Sequence, residues 1–176
     1  MKKIALIGMM GSGKSTLAKM ISEKMGLKYY CTDEYIEEKQ GRAISQIFET
    51  EGEAFFRHLE AEAINELVTF GDMVLSTGGG IVLNSENVRN LKKNGFVVVL
   101  LNRSVEKILS NIDGTKRPLL KDGIRRIESI YKEREFLYKQ SSDLIINNDD
   151  NIDETLNRLL NLLLDTGECN EEKNFD

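Results

Sequence analysis

The run Gly8-Met9-Met10-Gly11-Ser12-Gly13-Lys14-Ser15 sets three glycines, a lysine and a serine at the spacing G-x-x-x-x-G-K-S. Glycines so placed let the backbone turn tightly enough to aim several N–H groups at one phosphate. The run follows the apolar stretch 4–7 and opens an amphipathic stretch, so a helix N-terminus adds its dipole to the same anion. Lys14 can reach the β- and γ-phosphates of a nucleotide, and the Ser15 hydroxyl can ligate Mg²⁺. A chance Lys-Ser after a Gly-rich turn is not expected at the first strand-turn-helix, so nucleotide binding is the expected chemistry.

A second signature is Gly78-Gly79-Gly80, directly after the apolar run 73–75. Consecutive glycines cost backbone entropy and make sense where a ligand approaches the main chain closely. The remaining candidates are charged. Asp33 closes the second apolar run, Arg57 lies in Phe56-Arg57-His58-Leu59-Glu60, Arg117 in Lys116-Arg117-Pro118-Leu119-Leu120, and Arg134 in Arg134-Glu135-Phe136-Leu137-Tyr138. With His58 the only histidine, most Ser-His-Asp triads and all multi-histidine zinc sites are excluded. Neighbouring helix residues diverge by about 100°, so His58 need not face what Arg57 faces, and no role is expected for it. Cys31 and Cys169 form no C-x-x-C unit and read as reduced cytosolic thiols.

Short apolar runs at 4–7, 29–31, 73–75, 97–101 and 144–146 predict five buried strands. Helical patterns at 14–25, 53–70, 85–93, 104–110, 124–140 and 152–164 alternate with them. This order implies an α/β fold, a parallel sheet covered on both faces, with ligands bound outside the carboxyl ends of the strands. Residues 1–165 are expected as one domain. Within it, 33–70 is almost continuously helical, which suggests an inserted helical subregion, and the charged stretch 111–123 suggests a mobile loop. Residues 166–176 are polar and acidic and are expected to form a disordered tail. The net charge of −5 and a pI near 5.1 argue against a general nucleic-acid binder. No stretch reaches the roughly 20 apolar residues of a membrane span, and the run 4–7 breaks at Gly8 before a secretion signal could form.

No N-K-x-D sequence occurs, which weighs against a Ras-like GTPase, and the strand 73–75 does not end in the Asp-Glu of a motor ATPase. Taken together, Gly8–Ser15, Thr32-Asp33 with Ile36-Glu37, Phe56-Arg57 with Glu60, Gly78-Gly79-Gly80, Arg117-Pro118-Leu119-Leu120, and Arg134 with Tyr138 resemble shikimate kinase over about residues 2–160. The resemblance implies a three-layer α/β/α fold of the P-loop, nucleoside-monophosphate-kinase-like type, with a five-stranded parallel sheet, a helical substrate-binding region at about 33–62 and a lid at about 111–123. It implies ATP-dependent phosphorylation of the shikimate 3-hydroxyl, a step toward chorismate, by a cytoplasmic monomer with no nucleic-acid or membrane partner.

The resemblance also assigns roles. Gly11, Ser12, Gly13, Lys14, Ser15, Thr16 and Arg117 would bind ATP, with Ser15 on Mg²⁺. Asp33, Arg57, Gly78, Gly79, Gly80 and Arg134 would bind shikimate, the two arginines on its carboxylate. Lys14, Asp33 and Arg117 would be catalytic, Asp33 orienting or deprotonating the attacking hydroxyl, and Glu60 would hold the Arg57 head. Two positions depart from the family pattern. Its second strand usually ends Asp-[Ser/Thr]-Asp, where this chain has Cys31-Thr32-Asp33, so a weaker Mg²⁺ site is expected. Ser110 stands where the family often has an adenine-stacking arginine, a loss of about 0.5–2 kcal/mol. Two other readings stay open on the residues alone: another small-metabolite kinase, such as a gluconate-type enzyme, and a catalytically weak nucleotide-binding module.

Overall fold

The computed structural model describes residues 2–110 and 120–171, with side chains except at 120–124 and 165–171. All five apolar runs form strands: β1 (Lys3–Ile7), β2 (Lys28–Cys31), β3 (Met73–Ser76), β4 (Phe96–Asn102) and β5 (Leu144–Asn147). They make one sheet in the order β2-β3-β1-β4-β5, every neighbouring pair parallel. β1 and β3 are buried along their whole length, as strands covered on both faces must be.

Alternate strand residues feed two cores. One unites Ala5, Ile7, Met73, Leu75, Val98 and Leu100 with residues of α3 (Ile44–Leu67), α4 (Ser85–Lys93), α5 (Val105–Ser110) and α6 (Leu120–Ser141). The other unites Ile4, Leu6, Val74, Val99 and Leu101 with α1 (Lys14–Met25) and α7 (Ile152–Glu171). The three-layer arrangement thus follows from the two-residue period of the strands. Among the described residues, no helix is long and apolar enough to cross a membrane.

The helical insertion also forms. α2 (Thr32–Gln40) follows β2 directly, and a third, smaller core of Ile36, Ile47, Phe56, Leu59 and Ala63 joins it to α3. α3 begins nine residues before the expected position. Its first turn is held by side chains: Glu37 Oε1 accepts the Ile44 N–H at 2.9 Å, and Gln46 Oε1 accepts the Ala43 N–H at 3.1 Å. Gly52, at φ 81° and ψ 177°, breaks α3 into two segments.

Two boundaries differ from expectation at the end of the chain. Residues 120–123, expected within the lid, begin α6, and α7 carries helical backbone on to Glu171, past the expected start of the tail. The rest of the expected lid, with Arg117 and Pro118, and residues 172–176 lie outside the described residues.

β1 sits at the centre, its chain leaving through α1 towards β2, while β4 leaves in the other direction towards β5. The strand order therefore reverses beside β1, and the crevice at the carboxyl ends of β1 and β4 is where such a sheet receives a ligand.

Candidate active site

The loop between β1 and α1 turns on itself, with the Ser12 N–H donating to Met9 O at 3.2 Å. Gly8 runs so close to β4 that a β-carbon there would lie 2.5 Å from Leu101 O. Lys14 is buried at the mouth of this loop, where its Nζ donates to Gly8 O at 2.9 Å and Met9 O at 2.8 Å. Burial lowers its pKa to about 8, against the opposing pull of Asp33 and Cys31. The Ser15 and Ser76 hydroxyls face each other at 3.2 Å, and Thr16 is exposed on the first turn of α1.

The end of β2 meets the end of β3 in register, Cys31 beside Ser76. Cys31 is buried and free. Next to it, Thr32 is fully buried, and its Oγ1 accepts the Gly78 N–H at 2.9 Å. That bond ties the first turn of α2 to the glycine turn after β3. The same hydroxyl donates to Asp33 Oδ1 at 3.4 Å. Burial pushes the Asp33 carboxyl above its ordinary value, and the Lys14 charge works against that rise. The glycine turn has no room for side chains: a β-carbon at Gly78 would lie 2.8 Å from Glu60 Oε1 and 2.9 Å from Asp33 Oδ1.

Two arginines close on this turn from opposite helices. Arg57, in the second segment of α3, donates from Nη1 to Glu60 Oε2 at 2.9 Å and from Nη2 to Glu53 Oε1 at 2.9 Å. Glu60 is completely buried, and its other oxygen has no hydrogen-bond partner. Burial raises the Glu60 pKa, and the adjoining Arg57 charge opposes the rise. Arg134, on α6, donates from Nη1 to Gly79 O at 3.1 Å, and Tyr138 OH donates to the same carbonyl. Between the arginines opens a cleft of about 340 Å³, walled by Asp33, Glu60 and the 78–80 turn and lined on its apolar side by Ile44, Phe48 and Phe56.

The structure thus brings Asp33, Arg57, Gly78, Gly79, Gly80 and Arg134 into one cleft. Gly11, Ser12, Gly13, Lys14, Ser15 and Thr16 form the adjoining loop and helix start. Arg117 lies outside the described residues. His58 turns outward to Glu62 at 3.3 Å. Ser110 Oγ donates to Lys107 O at 2.9 Å at the end of α5. Sequence reasoning passed over several residues at the site. Ile130 and Arg126 line the cleft one and two helical turns before Arg134, a four-residue spacing that could have shown them. Asn148, on the loop after β5, touches the phosphate loop with no local sequence signal.

The family model described as shikimate kinase matches residues 10–164. A Clostridium botulinum protein named shikimate kinase is 44% identical over 162 residues, which is 92% of this chain and 97% of that protein. The solved structure of shikimate kinase from Acinetobacter baumannii in complex with shikimate aligns with a TM-score of 0.86 at 34% identity, covering 94% of each chain. A gluconokinase from Sinorhizobium meliloti aligns at TM-score 0.65 and 14% identity over 99% of this chain and 98% of its own, a likeness of fold alone. Identity of this order over nearly the whole chain leads to one assignment: the protein belongs to the shikimate kinase family.

Proposed function

We propose that the protein transfers the γ-phosphoryl group of ATP to the 3-hydroxyl of shikimate, giving shikimate 3-phosphate and ADP on the route to chorismate. The observation that carries this reading is the cleft in which Arg57 and Arg134 flank Asp33 and the triple-glycine turn, one strand away from the phosphate loop. Membership of the family supports the same substrate pair.

In this reading the shikimate carboxylate takes the forks of Arg57 and Arg134. Arg57 is already aimed by Glu53 and Glu60, so little side-chain freedom is lost on binding. Gly79 and Gly80 present backbone N–H groups to the substrate, with no side chain to hold it away. Lys14 exchanges the carbonyls of Gly8 and Met9 for the β- and γ-phosphates. Gly11, Ser12, Gly13, Ser15 and Thr16 surround those phosphates.

Asp33 accepts the proton of the 3-hydroxyl. The hydroxyl oxygen bonds to the γ-phosphorus while the bond from that phosphorus to the β–γ bridging oxygen breaks, its electron pair leaving with ADP. Arg117 would stabilise the transferring group by the family resemblance. Catalysis is then chiefly positioning and electrostatics.

Mg²⁺ entering with ATP would be held by the phosphate oxygens with Ser15, and would supply positive charge to the transferring phosphoryl group. The residues suit an ion held mainly by phosphate oxygens and water. Ser15 and Ser76 offer hydroxyls, Cys31 offers only a thiol, and no group of three or more His, Cys, Asp or Glu gathers among the described residues. A cytoplasmic monomer with no nucleic-acid or membrane partner completes the proposal; the acidic balance of the chain supports the lack of a nucleic-acid partner.

A coupled ADP-release assay with purified protein, ATP and Mg²⁺ tests the whole reading. Release that depends on shikimate is expected. Release with gluconate instead, or ATP binding without release on either acid, would overturn it.

A further inference from the structure

The loop after β5 is braced on three sides. The Asn148 N–H donates to Asn102 O at 2.8 Å, and Asn102 Nδ2 donates to Asn147 Oδ1 at 2.9 Å, so the loop is tied to the end of β4. The Ser104 N–H donates to Asp149 Oδ1 at 2.7 Å, and Arg158 on α7 donates to Asn147 O at 2.9 Å. From this frame the Asn148 side chain, only 2% exposed, reaches across to the phosphate loop, and its Nδ2 donates to Ser12 O at 2.8 Å. The same Nδ2 occupies the space of a side chain at Gly13, where a β-carbon would lie 2.8 Å from it.

A phosphate-binding loop works by turning its N–H groups inward, which forces carbonyls outward, and an outward carbonyl that is buried must find a donor. For Ser12 that donor is Asn148. We infer that Asn148 is a positioning residue for the phosphate loop: its amide satisfies the Ser12 carbonyl, holds the peptide between Ser12 and Gly13 in the phosphate-receiving orientation, and couples the β5–α7 loop to triphosphate affinity. The inference rests on the nucleotide-binding reading of that loop. It assigns Asn148 an effect on the phosphates of ATP, and none on the adenine or on the acceptor cleft, which lies at the other end of the loop.

The test compares wild-type protein with Asn148→Ala and Asn148→Asp, the second nearly isosteric but lacking the donor. Dissociation constants for ATP, inorganic tripolyphosphate and adenosine are measured by calorimetry or competition, alongside KM for both substrates and kcat. Loss of one buried hydrogen bond at the loop predicts weaker ATP and tripolyphosphate binding by the same factor, about tenfold. Adenosine affinity, KM for shikimate and kcat at saturating ATP should stay within about twofold of wild type. Unchanged tripolyphosphate affinity in folded variants would overturn the inference, as would a parallel loss of adenosine affinity, which would put Asn148 at the base. Failure of both variants to fold would also overturn it, in favour of a purely structural residue. Wild-type protein that binds neither ATP nor tripolyphosphate would instead overturn the nucleotide-binding reading beneath it.

Discussion

The guanidinium of Arg57 lies directly against the α-carbon of Gly80, so that a β-carbon at position 80 would overlap Nη1, Nη2 and Cζ together. Gly80 itself has an ordinary backbone conformation, φ −100° and ψ 2°, so alanine would not strain the turn. Only Arg57 would have to move. Gly80→Ala is therefore expected to fold normally, to raise KM for shikimate about tenfold or more by displacing one charge-assisted contact, and to leave KM for ATP nearly unchanged. Steady-state kinetics with each substrate varied in turn check this split.

The hydroxyl of Thr32 has a structural duty that its place beside Asp33 conceals. Its Oγ1 is the partner of the buried Gly78 N–H. Thr32→Val keeps the shape and strands that N–H, which should cost about 1–3 kcal/mol of stability. Urea unfolding monitored by circular dichroism measures the loss. Thr32→Ser, which keeps the oxygen, should recover most of it.

Lys14 carries a pKa of about 8 in the nucleotide-free protein because it is buried. Bound triphosphate favours the charged form, so ATP binding takes up a proton wherever the free lysine is neutral. Affinity for ATP should be flat below about pH 8 and fall above it, approaching about tenfold per pH unit. Calorimetric titrations from about pH 6 to about pH 10 show the break. In Lys14→Arg, whose guanidinium stays charged throughout this range, the break should vanish.

Asp33 titrates above the ordinary aspartate value near 3.8, chiefly through burial, while the Lys14 charge holds the rise in check. In the proposed reaction the ionised form accepts the substrate proton, so the acid limb of kcat/KM should lie above that value, with activity lost as pH falls through it. Removing the opposing charge in Lys14→Met should move the Asp33 carboxyl resonance, followed by carbon NMR, to a still higher midpoint. Asp33→Asn should lower kcat by about 10²–10⁴-fold with little change in ATP affinity.

Cys31 stands beside Ser76 and next to Thr32, at the position where the family resemblance implies a carboxylate that helps to hold Mg²⁺. Cys31→Asp should lower the Mg²⁺ concentration that gives half-maximal activity, since a hard cation prefers oxygen to sulfur. Overlaid Mg²⁺ titrations of the two proteins would contradict this.

Much of this architecture is legible in the sequence. The strands read clearly because each is a short apolar run, and the phosphate loop reads clearly because its chemistry lies in eight consecutive residues. Arg57 and Arg134 are different. Each alone looks like a solvated helix residue, and only motif order marks them as a pair. Of Asn148, only its place in a loop that the family resemblance links to adenine is readable; its bond to Ser12 is not, because that partner lies 136 positions away and the neighbours Asn147, Asp149 and Asp150 suggest only a polar turn. The start of α3 is legible only in part. The stretch 33–70 reads as almost continuously helical, but the boundary at Ile44 depends on a first turn held by Glu37 from another helix.

Gly52 shows how conformation can matter where packing does not. Nothing lies within 4 Å of where its β-carbon would be, so a survey of neighbours would mark it as freely replaceable. Its dihedral angles belong to a region that only glycine enters at low cost. With any other residue there, α3 tends to straighten into one rod, carrying Phe48 away from Phe56, whose ring it meets at 4.8 Å. Part of the apolar wall of the cleft, the Phe48–Phe56 pair, therefore hangs on a single glycine peptide against whose α-carbon nothing packs.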